Sequence, residues 1–155
     1  MKVAVITISD RASKGIYKDL SGPEIENILN DKVPSCKIKR TIVPDESENI
    51  LKALKSFTGY DFILTTGGTG IGPRDVTPDI TKEYCDRELP GISETLRAES
   101  LKETNSAMLS RGFSGMRDNT IIINFPGSVK AVRLCTKVIA PVMIHAVKMI
   151  LGEGH

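Results

Sequence analysis

The run Val3-Ala4-Val5-Ile6, closed by Ile8, is almost unbroken in apolar residues. A strand with one wet face alternates apolar and polar side chains, so a run without alternation predicts a strand covered on both faces. Helices above and below a mainly parallel sheet meet that demand, and the chain supplies them in alternation. After Gly22-Pro23, Ile25, Ile28 and Leu29 recur at helical spacing, and residues 36–43 alternate as a second strand nearer an edge. Ser47 is placed to cap a helix whose stripe is Ile50, Leu51, Leu54 and Phe57. Residues 61–65 form a third strand stopped by Gly67-Gly68, and Thr77-Pro78 with Asp79 reads as a capped helix start. Residues 92–104 predict a helix, Phe113–Met116 a short piece of hairpin, and Thr120–Phe125 a further strand. From Val129 to Leu151 a broad apolar stripe predicts a helix that Pro141 should kink or divide. The expected fold is α/β, a three-layer α/β/α sandwich with a mainly parallel, mixed central sheet, in one domain over residues 1–155.

Charge narrows what such a domain can bind. A net charge of +2 over 155 residues gives no general basic field, which argues against nucleic acid or a membrane surface as partner. Any bound anion must be held by a local site. No stretch reaches the ~20 apolar residues of a membrane span. Cys36, Cys85 and Cys135 are widely spaced and lack a nearby His pair, so zinc is not expected. Three thiols without a secretory signal point to a reducing cytoplasm. His145, alone on the helical tail, specifies no chemistry.

In open α/β sheets ligands bind beyond the carboxyl ends of the strands, and there the residues hardest to explain by packing fall. Ser9, Asp10 and Arg11 follow the first strand, and Pro44 and Asp45 the second. Thr66-Gly67-Gly68-Thr69-Gly70 follows the third, and Pro126-Gly127-Ser128 the strand that ends at Phe125. Within TTGGTGIGPRDVTPD, residues 65–79, glycines let backbone N–H groups approach an anion, and Thr66 and Thr69 add hydroxyls. Arg74 could grip phosphate oxygens in a forked contact. The segment is neither a Walker A loop nor a Rossmann fingerprint; its plain alternative is a surface turn.

Asp45 and Asp75 are the carboxylates that suit catalysis. Two acids near a polyphosphate can hold Mg²⁺, which takes oxygen ligands and shares its shell with substrate phosphates. Asp45 could instead start a turn or cap a helix, and Asp75 could pair with Arg74 or a loop amide. The polar segment ITISDRASKGIYKDLSGP, with Asp10, Tyr17, Asp19 and Ser21, suggests a loop folded over a ligand, although helix capping accounts for part of it.

Together ISDRASKGIYKDLSGP, IVPDE, TTGGTGIGPRDVTPD, DRELPG, SAMLSRGFSG and FPGS, in this order from residue 6 to about 131, resemble the molybdopterin-binding family of the MogA/MoaB proteins, also seen as the G domain of gephyrin. ISDRAS-G-Y-D with DRELPG looks more like the MogA branch, the molybdopterin adenylyltransferases. The resemblance implies molybdenum cofactor biosynthesis: Mg-ATP and molybdopterin as substrates, adenylyl transfer to the pterin, pyrophosphate as the other product, and a homotrimer with one site per subunit. It assigns Asp45 and Asp75 to catalysis, Gly67, Gly68, Thr69 and Gly70 to the ligand's phosphate, Ser9, Asp10 and Ser21 to the N-terminal loop, and Pro126, Gly127 and Ser128 to the last pocket segment. A non-catalytic pterin-binding or scaffold protein of the MoaB or gephyrin kind is the alternative. Two departures touch the pterin side: Ile92-Ser93-Glu94 where many relatives have Phe-Gly-Glu, and Val129 where many have a second Pro.

Overall fold

The computed structural model describes residues 1–153. Strand β1 (Lys2–Ile8) leads into a single helical turn, α1 (Asp10–Ser13), and then α2 (Ser21–Lys32). There follow β2 (Lys37–Val43), α3 (Ser47–Ser56), β3 (Phe62–Thr66) and α4 (Thr77–Tyr84). The short strand β4 (Arg87–Glu88) precedes α5 (Pro90–Leu101), a 3-10 turn (Asn105–Leu109), β5 (Ser114–Arg117), β6 (Thr120–Phe125) and α6 (Val129–Ile150).

Among the described residues six strands lie in the order β2-β1-β3-β6-β5-β4. The first four run parallel and the β6-β5-β4 end is antiparallel. Strand side chains alternate between faces, and β1 divides its residues accordingly. Val3 and Val5 pack with Ile25 and Leu29 of α2 and Val132, Cys135, Ile139 and Met143 of α6. Ala4, Ile6 and Ile8 pack with Ile50, Ala53 and Leu54 of α3 and Tyr84 of α4. Both faces of the sheet are therefore covered, and residues 3–6 are wholly buried. Each fully buried Ile or Leu contributes about 1.5–3 kcal/mol over its exposed state. The three-layer, mainly parallel and mixed sheet expected from the apolar runs is the observed one.

Several local expectations are corrected. Glu46 occupies the cap position of α3 and Ser47 is already helical, so the Ser47 hydroxyl does not cap. The Thr77 hydroxyl is likewise turned away from its helix and donates to Gly67 O at 3.1 Å. Pro141 lies inside α6 without dividing it, and one helix runs from Val129 to Ile150. Strand β4 and the turn α1 carry no sequence signal of their own, because two and four residues are too short to show a period.

Among the described residues no helix is long and apolar enough to cross a membrane. The three thiols are free. Burial pushes those of Cys85 and Cys135 up to about 12, and raises that of Cys36. Since the thiolate is the reactive form, native protein at pH 8 should label first at Cys36, whose thiol is raised least. Cys85 and Cys135 should react more slowly until denaturant is added. Timed labelling followed by peptide mass analysis reads this directly; equal rates at all three would show that the native packing opens readily.

Candidate active site

Strand register sets the site. Ile8 pairs with Val43, Thr7 with Thr66, and Thr66 with Phe125, so four parallel strands end within about one residue of the same level. The four segments that follow are tied to one another by main-chain and hydroxyl contacts. Ser9 N–H donates to Val43 O at 2.9 Å, and Gly67 N–H to Phe125 O at 3.1 Å. The Thr66 hydroxyl donates to Pro126 O at 2.9 Å, and the Ser21 hydroxyl to Gly127 O at 2.7 Å.

Glycine is required at the centre of this junction. Gly67 has φ +101°, and a Cβ there would stand 2.2 Å from Ile8 O. Gly68 has φ +65°, and its Cβ would meet the Thr77 hydroxyl at 2.4 Å and Asp45 Oδ1 at 3.1 Å. L-residues avoid such φ values, so the backbone can pass this closely only without a side chain.

Around the loop stand the carboxylates. Asp10 and Asp45 exchange contacts: Asp10 N–H donates to Asp45 Oδ2 at 2.8 Å, and Asp45 N–H to Asp10 Oδ1 at 3.0 Å. Burial pushes the Asp45 carboxyl above its ordinary value, against the opposing pull of the Asp10 N–H. Asp75 Oδ2 accepts from Gly72 N–H at 2.9 Å, and a Cβ on Gly70 would lie 2.8 Å from the same oxygen. Both acids thus border one glycine-rich loop, Asp45 at Gly68 and Asp75 at Gly70 and Gly72.

Arg74 does not point its fork at an open anion site. Its Nε and Nη2 donate to Asp10 at 2.6 and 2.9 Å. That contact holds the Asp10 carboxyl below the usual range and raises the guanidinium. An incoming phosphate would have to compete with Asp10 for Arg74.

The remaining expected residues divide between two hollows. Ser9, Ser21, Gly67 and Gly127 line one of about 130 Å³, with Asp19 at its wall. Thr69, Gly70, Pro126 and Ser128 line another of about 250 Å³. Ser9 and Ser128 also have local structural work, capping α1 and α6 through Ala12 N–H and Ala131 N–H. A larger hollow of about 470 Å³ is lined by Arg111 together with Lys82, Glu88, Glu94 and Arg97. The unusual Ser93 sits buried at that wall, its hydroxyl 2.5 Å from that of Ser114.

Sequence reasoning missed Arg111. It sits between Ser110 and Gly112 and reaches residues 32 to 42 positions earlier in the chain, a link no local pattern reveals.

The model of the probable molybdopterin binding domain matches residues 4–145. The chain belongs to the molybdopterin-binding family. Within it, the chain is 42% identical to the molybdopterin adenylyltransferase of Helicobacter pylori strain J99 over 155 residues, covering 97% of this chain and 88% of that one. It is 45% identical to gephyrin of Dictyostelium discoideum over 159 residues, which is 96% of this chain and 22% of that protein. The crystal structure of the molybdopterin biosynthesis enzyme MoaB from Thermus thermophilus superposes with a TM-score of 0.88 at 39% identity, covering 97% and 96% of the two chains. As a molybdopterin-binding domain, the chain carries its glycine loop and both acids inside the matched span.

Proposed function

We propose that this chain transfers the adenylyl group of Mg-ATP to molybdopterin, releasing pyrophosphate. One observation carries the reading: Asp45 and Asp75, distant in sequence, border the same glycine-rich loop. Relatives at about 40% identity named molybdopterin adenylyltransferase support it.

In this reading an oxygen of the pterin substrate forms a bond to the α-phosphorus of ATP as the bond to the β-phosphate oxygen breaks. The amides of Gly68, Thr69 and Gly70 and the Thr69 hydroxyl take up phosphate charge, as fixed donors at a site of developing negative charge do. Asp45 and Asp75 fit Mg²⁺ by their chemistry: an all-oxygen donor set of two carboxylates leaves most of the shell to phosphate and water. Asp45 Oδ1 and Asp75 Oδ1 accept no hydrogen bond among the described residues, which leaves each acid an oxygen to offer. When bound, the metal would neutralise charge on the attacked phosphate and on the leaving pyrophosphate. No side chain need become a covalent nucleophile.

A homotrimer belongs to the same reading. Val142 and Met149, seven residues apart on the outer face of α6, are 54% and 53% exposed and are of the kind an interface would cover. A cytoplasmic location is part of it too.

The test is pyrophosphate release from Mg-ATP with and without molybdopterin. Release that depends on the pterin is the expected result. Tight pterin binding without turnover would instead leave a carrier or scaffold of the MoaB or gephyrin kind.

A further inference from the structure

Arg111 follows the 3-10 turn and crosses to the glycine-rich loop, donating from its main chain and from all three guanidinium nitrogens. Its main-chain N–H donates to Thr69 O at 2.8 Å, and its Nε to Gly70 O at 2.9 Å. Nη2 donates to Asp75 O, and the fork closes on both oxygens of Asp79, at the start of α4, at 3.0 Å each. The side chain thereby holds both ends of residues 70–79 and the carbonyl of the residue that bears the second carboxylate, and the main-chain N–H adds Thr69.

The loop needs such a tie. Gly67, Gly68, Gly70 and Gly72 give it more conformational freedom to lose than other residues would. Thr77 holds only the base of the loop, through its N–H to Gly68 O and its hydroxyl to Gly67 O; beyond that the local contacts are Gly72 N–H to Asp75, Asp75 N–H to Gly72 O and Val76 N–H to Arg74 O. A planar guanidinium can serve three acceptors in fixed directions, whereas an ammonium is a flexible point charge. The Arg111 and Asp79 side chains are 40% and 59% exposed, so their ion pair adds little to global stability. Its effect is local.

We propose that Arg111 is a positioning residue: it staples the glycine-rich loop to α4 and so sets where Asp75 and the loop amides stand. The proposal rests on the adenylyl-transfer reading for its catalytic consequence, but not for the staple itself. Arg111→Lys and Arg111→Met separate the two. In ligand-free protein, exchange of the Gly72, Asp75 and Val76 amides should quicken about tenfold or more in both variants, with the core strands unchanged. The melting temperature should fall by less than about 4 °C. With substrates, kcat should drop about 10- to 100-fold, and the Mg²⁺ concentration for half-maximal rate should rise.

Unchanged amide exchange overturns the proposal. So does full turnover in Arg111→Lys, which would mean that any cation suffices. A collapse in melting temperature with an unaltered Mg²⁺ requirement in the folded fraction assigns a merely structural role and also overturns it. If the native protein shows no turnover, the adenylyl-transfer reading fails alone, and the exchange measurement still decides the staple.

Discussion

Asp45→Asn should lower pterin-dependent pyrophosphate release about 10²- to 10³-fold while raising the melting temperature of the ligand-free protein at pH 7. The two effects share one cause. Asp45 is partly buried beside a loop with little to neutralise it, and burial raises its carboxyl above the ordinary value. A folded state that prefers the protonated acid is stabilised by it below the unfolded pKa. That contribution is lost as pH rises through the raised folded value, so at pH 7 the ionised Asp45 weighs against the fold. Asparagine removes the charge and keeps an oxygen for the Asp10 N–H. Stability should therefore fall less between pH 4 and pH 7 in the variant than in the native protein. Asp75→Asn, which also keeps an acceptor for Gly72 N–H, should lose activity to a similar degree. Either variant retaining a tenth or more of native turnover would remove that acid from the reaction. A lower melting temperature for Asp45→Asn would show that its contact with Asp10 outweighs its burial.

Gly67→Ala should be the most damaging small substitution in the chain's glycine-rich loop. Its Cβ would meet Ile8 O at 2.2 Å, at a φ of +101° that alanine avoids. Ile8 cannot yield, because it is buried at the end of β1 and paired with Val43, and Ser9 N–H is bonded to Val43 O. We expect a loss of about 3 kcal/mol or more, a fall of about 6–12 °C in melting temperature for a chain of this size. Gly15→Ala separates strain from collision. Gly15 has φ +72° with nothing within 4 Å, so only the conformational cost of about 1 kcal/mol applies. Thermal melts of both variants measure the difference. Equal shifts would mean that the approach of Gly67 to β1 leaves room for a methyl group.

What the sequence disclosed depended on the length of chain over which each feature speaks. Val3–Ile8, Phe62–Leu64 and Ile121–Phe125 announce doubly covered strands because every residue is constrained, and the α3 stripe of Ile50, Leu54 and Phe57 repeats at helical spacing. Placement of the site followed from the fold, since Ser9, Asp45, Gly67 and Pro126 each come directly or nearly so after a parallel strand. Partners across the chain did not follow. Arg74 reads as a phosphate grip or a partner of Asp75 until the fold brings Asp10, 64 positions away, into its fork. Arg111 shows nothing until its link to Asp75 and Asp79 is seen. Thr77 and Ser47 occupy positions where a hydroxyl usually caps, yet the first serves the loop and the second lies one residue too late.

The strand order also has a consequence for how the chain is made. Strands β1, β2 and β3 come from the first 66 residues, but the neighbour of β3 on its other side is β6, which begins at Thr120. Roughly 50 residues of translation separate them, about 3–10 s at usual rates. During that interval a half-built sheet presents Phe62, Ile63 and Leu64 on an unpaired edge, the kind of template on which other chains join. The opposite edge, β2, is guarded permanently by Lys37, Lys39 and Arg40. Aggregation pressure on this fold therefore belongs to its birth on the ribosome more than to its mature life.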